Sequence, residues 1–338
     1  MSNCIDNNNS LPVSCQTEVK ENFTDRKIGS QYLSRIYDFL GLHSRADRVG
    51  SCADTLIFKA YADGVARLHS VYFCKDRLCP MCNWRRSDKM FSQLSYVMNE
   101  VEKEGYRFLF LTLTLQNVPY IDLSSALDTL QSGFSKLLRK KEVSKICFGT
   151  FRCIEVTINR EKKTMHPHIH SVLAVKDDYF KHGFIPQKKW AELWGQCIES
   201  DYIPVIWVKA LKSGKFGLYD GVKELTHYLA KEQEYLTGKK LGVPTPEDIE
   251  KVNALYDGIF KRKLYNYTGI MKTVHQRLFP NDKKSDLLNS EEDKMRSDIA
   301  FVFVRYRWRV GLNEYQGENF TEYAFGKNNK KRRIFEND

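Results

Sequence analysis

The chain has 338 residues, 42% hydrophobic and 13% aromatic, which excludes a wholly disordered polymer. No apolar run approaches the roughly 20 residues of a membrane helix, and the opening MSNCIDNNNS has no apolar signal core, so a cytoplasmic protein without a membrane partner is expected. A formal net charge of +11 favours a polyanionic partner, nucleic acid above all.

Residues 1–25 are polar and poor in large apolar side chains, so they read as a flexible N-terminus. A cysteine-rich basic module is expected over residues 26–100. There Cys74, Cys79 and Cys82 form Cys-x4-Cys-x2-Cys, and Cys52 lies upstream. Four thiolates at this spacing suit a tetrahedral structural Zn²⁺, with His69 as the alternative fourth ligand. Lys75, Arg77, Arg85, Arg86 and Lys89 surround the knuckle and suit contacts to DNA phosphates. Cys4, Cys15, Cys147, Cys153 and Cys197 read as ordinary thiols in a chain with nine cysteines and no export signal.

An ordered alternation follows. Residues 108–115 are apolar and threonine-rich, as in a strand buried on both faces. Asp122 is placed to cap a helix whose Leu123, Leu127, Leu130, Phe134 and Leu137 recur at helical spacing. Residues 150–159 and 165–175 read as two strands joined by a turn at 159–163. Pro186 opens a helix through Trp190, Leu193, Trp194 and Cys197. Residues 203–210 read as a strand and 222–237 as a helix. The order β-α-β-β-α-β is the split βαβ, ferredoxin-like pattern, an α+β fold with a central antiparallel sheet. Its first and third strands lie side by side at the centre, and here the third carries histidines. The stretch 238–248 reads as a linker or long loop, and residues 327–333 as a basic tail.

Residues 166–170 read His-Pro-His-Ile-His, three of the eight histidines in the chain. Alternation along a strand places His166, His168 and His170 on one face. Two imidazoles two residues apart can grip one divalent ion. His168 and His170 are the stronger pair, and His166 is left open as a ligand. Folding the hairpin brings Glu155 level with them, and its hard oxygen suits Mg²⁺ or Mn²⁺.

At 100° per residue, Glu224, Tyr228, Lys231 and Tyr235 fall within an arc of about 60° on the expected helix. A phenol can become a phosphoryl nucleophile when a metal polarises the phosphate and a cation sits close. Lys231 is the cation, and Glu224 can serve as general base for a second nucleophile. Tyr235 shares this face.

In order, Phe-Leu-Thr-Leu-Thr, His-Pro-His-Ile-His and Glu-x3-Tyr-x2-Lys resemble the motifs of rolling-circle replication initiators of small, mainly Gram-positive plasmids, within the HUH endonuclease superfamily. The stretch from Cys74 to Arg86 is similar to the same family, and the resemblance covers roughly residues 48–240. It implies a nuclease domain over 101–240 and a C-terminal region, 241–338, in which Tyr306, Trp308 and the basic tail could bind origin DNA or simply pack. It further implies that His168 and His170 hold the catalytic ion. Tyr228 then attacks a phosphodiester at the double-strand origin, keeps the 5′-phosphate and frees a 3′-OH. Glu224 activates water to end the round. The implied partners are plasmid origin DNA (duplex or hairpin, and single strand) with host helicase, polymerase and single-strand binding protein. The competing expectations are another HUH nuclease (a relaxase or single-tyrosine transposase), a metallohydrolase using the three histidines, and a non-catalytic zinc DNA-binding regulator.

Overall fold

Strand-forming and helix-forming segments alternate through the computed structural model, which describes residues 13–61, 63–212, 222, 231–280, 287 and 301–324. The chain divides into two units, one of Met1–Ser34, Leu42–Cys82 and Asp286–Asp338, the other of Arg35–Gly41 and Asn83–Ser285.

The larger unit contains strands β3 (Arg107–Thr114), β4 (Val118–Pro119), β5 (Gly149–Asn159), β6 (Thr164–Val175), β7 (Ile206–Ala210) and β8 (Tyr265–Thr268). They form a six-stranded sheet in the order β7-β3-β6-β5-β8, with β4 beside β6. Its central strands β3 and β6 are largely apolar and buried along most of their length, as expected of strands between covered layers. Helix α5 (Leu123–Arg139) and helix α7 (Gln187–Ile198) carry apolar stripes at helical spacing. Leu127, Leu130 and Phe134 of α5 and Trp190, Leu193 and Trp194 of α7 are buried. Each such side chain contributes roughly 1.5–3 kcal/mol. Gly133 is where the two helices meet closely: a Cβ there would lie 2.6 Å from Ile198 and 3.0 Å from Trp194. Trp194 Nε1 donates to the Thr114 carbonyl at 2.8 Å, tying α7 to β3.

The connection β3-α5-β5-β6-α7-β7, with β3 and β6 adjacent at the centre, is the expected ferredoxin-like arrangement. The fold is α+β with antiparallel sheets and a cysteine cluster toward the N-terminus.

In the smaller unit, β1 (Thr55–Tyr61) and β2 (Ala66–Val71) are joined by β9 (Phe301–Arg309) and β10 (Glu314–Ala324) in the order β10-β9-β1-β2. Tyr306 and Trp308 are buried, and Phe23, Phe58 and Tyr306 stack edge to face in sequence. Of the two roles open to Tyr306 and Trp308, the structure shows packing.

Several expectations are corrected. Residues 13–24 are helical: helix α1 (Val13–Glu18) runs into a wider turn, Val19–Thr24, which buries Val19 and Phe23. Of the linker or long loop expected over 238–248, the structure shows a short loop with a 3₁₀ turn, Lys239–Leu241, running into a helix. Asp248 is fully buried there and accepts from the Gly238 N–H at 2.7 Å, while Thr245 caps the following helix, Pro246–Ile259. Asp122 precedes α5 but makes no capping side-chain bond, because a short 3₁₀ turn, Tyr120–Asp122, leads in instead. Strand β7 begins at Ile206 rather than at residue 203. The helix expected over 222–237 is interrupted: Lys231 is extended (φ −74°, ψ 128°) and only Glu232–Tyr235 beyond it are helical. The basic tail at 327–333 lies outside the described residues.

Candidate metal centres

Register positions the first cluster. In β5 and β6, Glu155 is opposite His168 and Cys153 is opposite His170. On the other side of β6, Thr114 faces His168 and Thr112 faces His170. Directly opposed residues share a face, so the carboxylate and both imidazoles project the same way. Glu155 Oε2 lies 3.2 Å from His168 Nε2 and 2.9 Å from His170 Nε2. All three residues are buried, and their ligand atoms lie within 4.8 Å of one another.

Outer partners orient the rings. His168 Nδ1 is 3.2 Å from the His166 carbonyl, and His170 Nδ1 is 3.1 Å from Thr112 Oγ1. Both nitrogens of His168 therefore face oxygen. A neutral imidazole carries one N–H. Either ring nitrogen can carry it; with the hydrogen on Nε2 the ring donates to Glu155 Oε2, and a cation between them would take that hydrogen's place. Burial works against ionised Glu155, but hydrogen bonds from His168 and His170 outweigh it and hold the carboxyl well below the usual range. The donor set, two imidazoles and a carboxylate, fits Mn²⁺ or Mg²⁺ with positions left for oxygen ligands.

His166 stands apart from this trio. Its ring centroid is 5.6 Å from that of His168, and its contribution to the cluster is its backbone carbonyl. Burial, then the charge of His168, lower its pKa.

The cysteine cluster comprises Cys52, Cys74, Cys79 and Cys82, all buried, with sulfurs within 4.8 Å of one another. Cys52 and Cys74 each lie 3.6 Å from Cys82, sulfur to sulfur. Zn–S bonds of about 2.3 Å set tetrahedral sulfurs about 3.8 Å apart, so the spacing fits zinc. Supporting contacts come from Ser30 Oγ, 3.2 Å from Cys79 Sγ, and from the Asp76 N–H, 3.4 Å from Cys74 Sγ. Buried Lys27 donates to the carbonyls of Gly50 and Cys52 at 2.6 and 2.9 Å and pairs with Asp54, fixing the segment that presents Cys52. His69 is exposed on β2 against Phe303 and lies outside the cluster, which Cys52 completes. Cys15, Cys147, Cys153 and Cys197 lie outside the cluster and form no disulfide.

Among the basic residues, Lys75 is exposed, and Arg77, Arg86 and Lys89 are half-buried. Arg85 is buried, lies over the Trp84 ring at 5.2 Å and pairs with Asp88 at 3.7 Å. Its burial sets it apart from the other four basic residues.

Tyr228 and Glu224 lie outside the described residues. Lys231 is exposed at the start of the short helix. Tyr235 is fully buried, which removes it from an accessible face. Glu234, beside it, accepts from the Ile158 N–H at 3.1 Å, and burial raises its pKa.

Two features were missed in the sequence. Arg305, Arg307 and Arg309 repeat at every second residue of β9, and all three lie 3.4–3.7 Å from the single carboxylate of Glu318. The alternation Arg-x-Arg-x-Arg was the available signal. The second is a cavity of about 620 Å³ beside His168, bounded by Thr112, Tyr202 and Trp207. The alternating exposed apolar residues at Ile203, Val205 and Trp207 were its signal.

Residues 65–316 match a family model described as replication protein. A "Protein rep" from Streptococcus pneumoniae serotype 2 (strain D39 / NCTC 7466) is 37% identical over 307 residues, covering 88% of this chain and 92% of the relative. "Protein rep" from Bacillus amyloliquefaciens is 32% identical over 310 residues, covering 86% and 87%. One from Lentilactobacillus hilgardii is 34% identical over 294 residues, covering 85% and 90%. No solved structure matches the chain.

Proposed function

The chain belongs to the replication-protein family, and on that premise we propose that it starts rolling-circle replication of a plasmid by nicking one strand of the origin. The observation that carries this reading is the meeting of Glu155, His168 and His170 on one sheet face beside an open cavity. A non-catalytic zinc regulator would have no use for such a trio.

A divalent cation, Mg²⁺ or Mn²⁺, held by the trio would polarise the scissile phosphate and offset charge on the leaving oxygen. His166 through its carbonyl and Thr112 through its hydroxyl keep the two imidazoles turned inward. Tyr228 Oη gives up its proton to solvent and bonds to phosphorus as the bond to the 3′ oxygen breaks. That oxygen takes a proton and leaves as the 3′-OH primer, and the 5′-phosphate stays on the tyrosine. Lys231 balances charge near the phenol, and Glu224 takes a proton from the nucleophile that ends the round. The roles of Tyr228, Glu224 and Lys231 rest on their spacing and on the family resemblance.

The cysteine cluster is read as a structural zinc site. Lys75, Arg77, Arg86 and Lys89 are read as phosphate contacts to the origin duplex or hairpin. The arginine row of β9 extends that role to the C-terminal region, because three cations repeat along one face of the strand. Helicase, polymerase and single-strand binding protein of the host would follow the nick.

The test is a covalent-adduct assay with Mn²⁺ and labelled single-stranded origin DNA. The expected result is a labelled protein band that survives a denaturing gel and is lost in Tyr228→Phe. An adduct that persists in that variant moves the nucleophile elsewhere. Cleavage without an adduct supports water as nucleophile and a metallohydrolase instead.

A further inference from the structure

The edge strand β7 and the residues before it place three large apolar side chains in the open. Ile203, Val205 and Trp207 are 75%, 66% and 64% exposed, while Pro204 and Ile206 between them are buried. Alternation along an extended chain puts the three on one side. Their side is fixed by register: Trp207 is opposite Thr112, and Thr112 is opposite His170. The indole therefore stands on the sheet face that carries the metal trio, two strands away. An exposed apolar row beside polar groups marks a binding surface rather than a core.

The cavity gives that surface a shape. Its volume, about 620 Å³, is within the range of about 300–1,000 Å³ typical of small-ligand sites. Thr112, Thr114, Gln116 and Asn117 supply hydroxyl and amide groups to its wall, and His168 closes the end nearest the trio. Tyr202 Oη accepts from the Gln116 N–H at 3.1 Å and so fixes the two rims together. No carboxylate lines the cavity among the described residues, so nothing there repels a phosphate.

We propose that this cavity is a nucleobase pocket: an unpaired base of the DNA strand, next to the phosphate at the trio, stacks on the Trp207 indole. A flat aromatic face takes any base by stacking, and the amides and hydroxyls around it read the base edge. A duplex cannot use the pocket, because its bases are already stacked on one another. The inference rests on the reading that the trio acts on single-stranded DNA, but its test needs no cleavage.

The probe is a fluorescein-labelled oligothymidylate of about twelve nucleotides, titrated with full-length protein in buffer without added Mg²⁺ or Mn²⁺, beside a duplex of similar length. Trp207→Ala should weaken single-strand binding roughly 5- to 150-fold. Trp207→Phe, which keeps an aromatic face, should stay within a few-fold of wild type. Duplex affinity should be unchanged in both. Oligothymidylate binding by Trp207→Ala at wild-type strength overturns the proposal, as does equal loss on duplex and single strand, or a wild type that does not bind the probe. Trp207-dependent binding by a protein that forms no covalent adduct upholds the pocket and sinks the nuclease reading. An adduct without any Trp207 effect does the reverse.

Discussion

Glu155 and His168 stand directly opposite one another on neighbouring antiparallel strands, with His168 Nε2 3.2 Å from Glu155 Oε2. Since His170 Nε2 approaches the same oxygen at 2.9 Å, one carboxylate oxygen organises both imidazoles. The support behind them is asymmetric: a backbone carbonyl for His168 and a side-chain hydroxyl for His170. Only the second can be removed by substitution.

Thr112→Val should therefore lower Mn²⁺ affinity by about 10- to 100-fold, the usual cost of losing an outer partner of a ligating histidine. His166→Ala keeps the carbonyl and should leave affinity within a few-fold of wild type. Titration calorimetry decides both. A large loss in His166→Ala would bring that imidazole into the metal's ligand set.

Removal of one sulfur tests the zinc reading. Cys79→Ser should release zinc, measured as metal per chain by mass spectrometry, and lower the melting temperature of the protein. Cys197→Ser, a thiol outside the cluster, should keep full zinc content. Unchanged zinc in Cys79→Ser would remove the four-cysteine assignment.

Burial separates two arginine-type effects near the knuckle. Arg85→Ala should destabilise, because it empties a buried site over Trp84. Lys75→Ala, at an exposed position, should leave the melting temperature alone and reduce the slope of log affinity against log salt by about 0.9 for a lost phosphate contact. An unchanged slope would take Lys75 out of the DNA contact set.

The readable parts of this fold are those set by short-range periodicity. Alternation in β5 and β6 and a turn between them were enough to place Glu155 level with His168, because hairpin register follows from the turn. The union of β9 with β1 was not readable, since it depends on contacts far apart in the chain. Tyr315 Oη donating to the Ala53 carbonyl spans 262 residues. Helical spacing also misled at Lys231. Glu234 accepts from the Ile158 N–H, and Lys251 donates to the Glu234 carbonyl at 3.1 Å, so tertiary bonds hold that turn out of a continuous helix. The burial of Arg85 was not readable for a related reason: charge in a sequence does not say which helix face it lies on.

Asp248 and Lys251, both fully buried, give the clearest pH effect. Lys251 Nζ is 2.6 Å from Asp248 Oδ1, and the carboxylate also accepts from Thr237 Oγ1 and the Gly238 N–H at 2.6 and 2.7 Å. Burial opposes ionisation of Asp248, but Lys251, Thr237 and Gly238 together outweigh it and lower its pKa. A carboxyl with a depressed folded-state pKa stabilises fully above its unfolded value, about 3.9, and loses that contribution as pH falls through the folded value. Asp248→Asn takes from Lys251 its closest partner, leaving Glu247 at 3.1 Å, and should cost about 1–3 kcal/mol near neutral pH. Below about pH 4 the wild type loses the same interaction by protonation, so the difference between the two proteins should narrow. Urea unfolding of both from about pH 7 to pH 3 measures this. A difference that stays constant through the acid range would mean that ionised Asp248 is not what the variant removes.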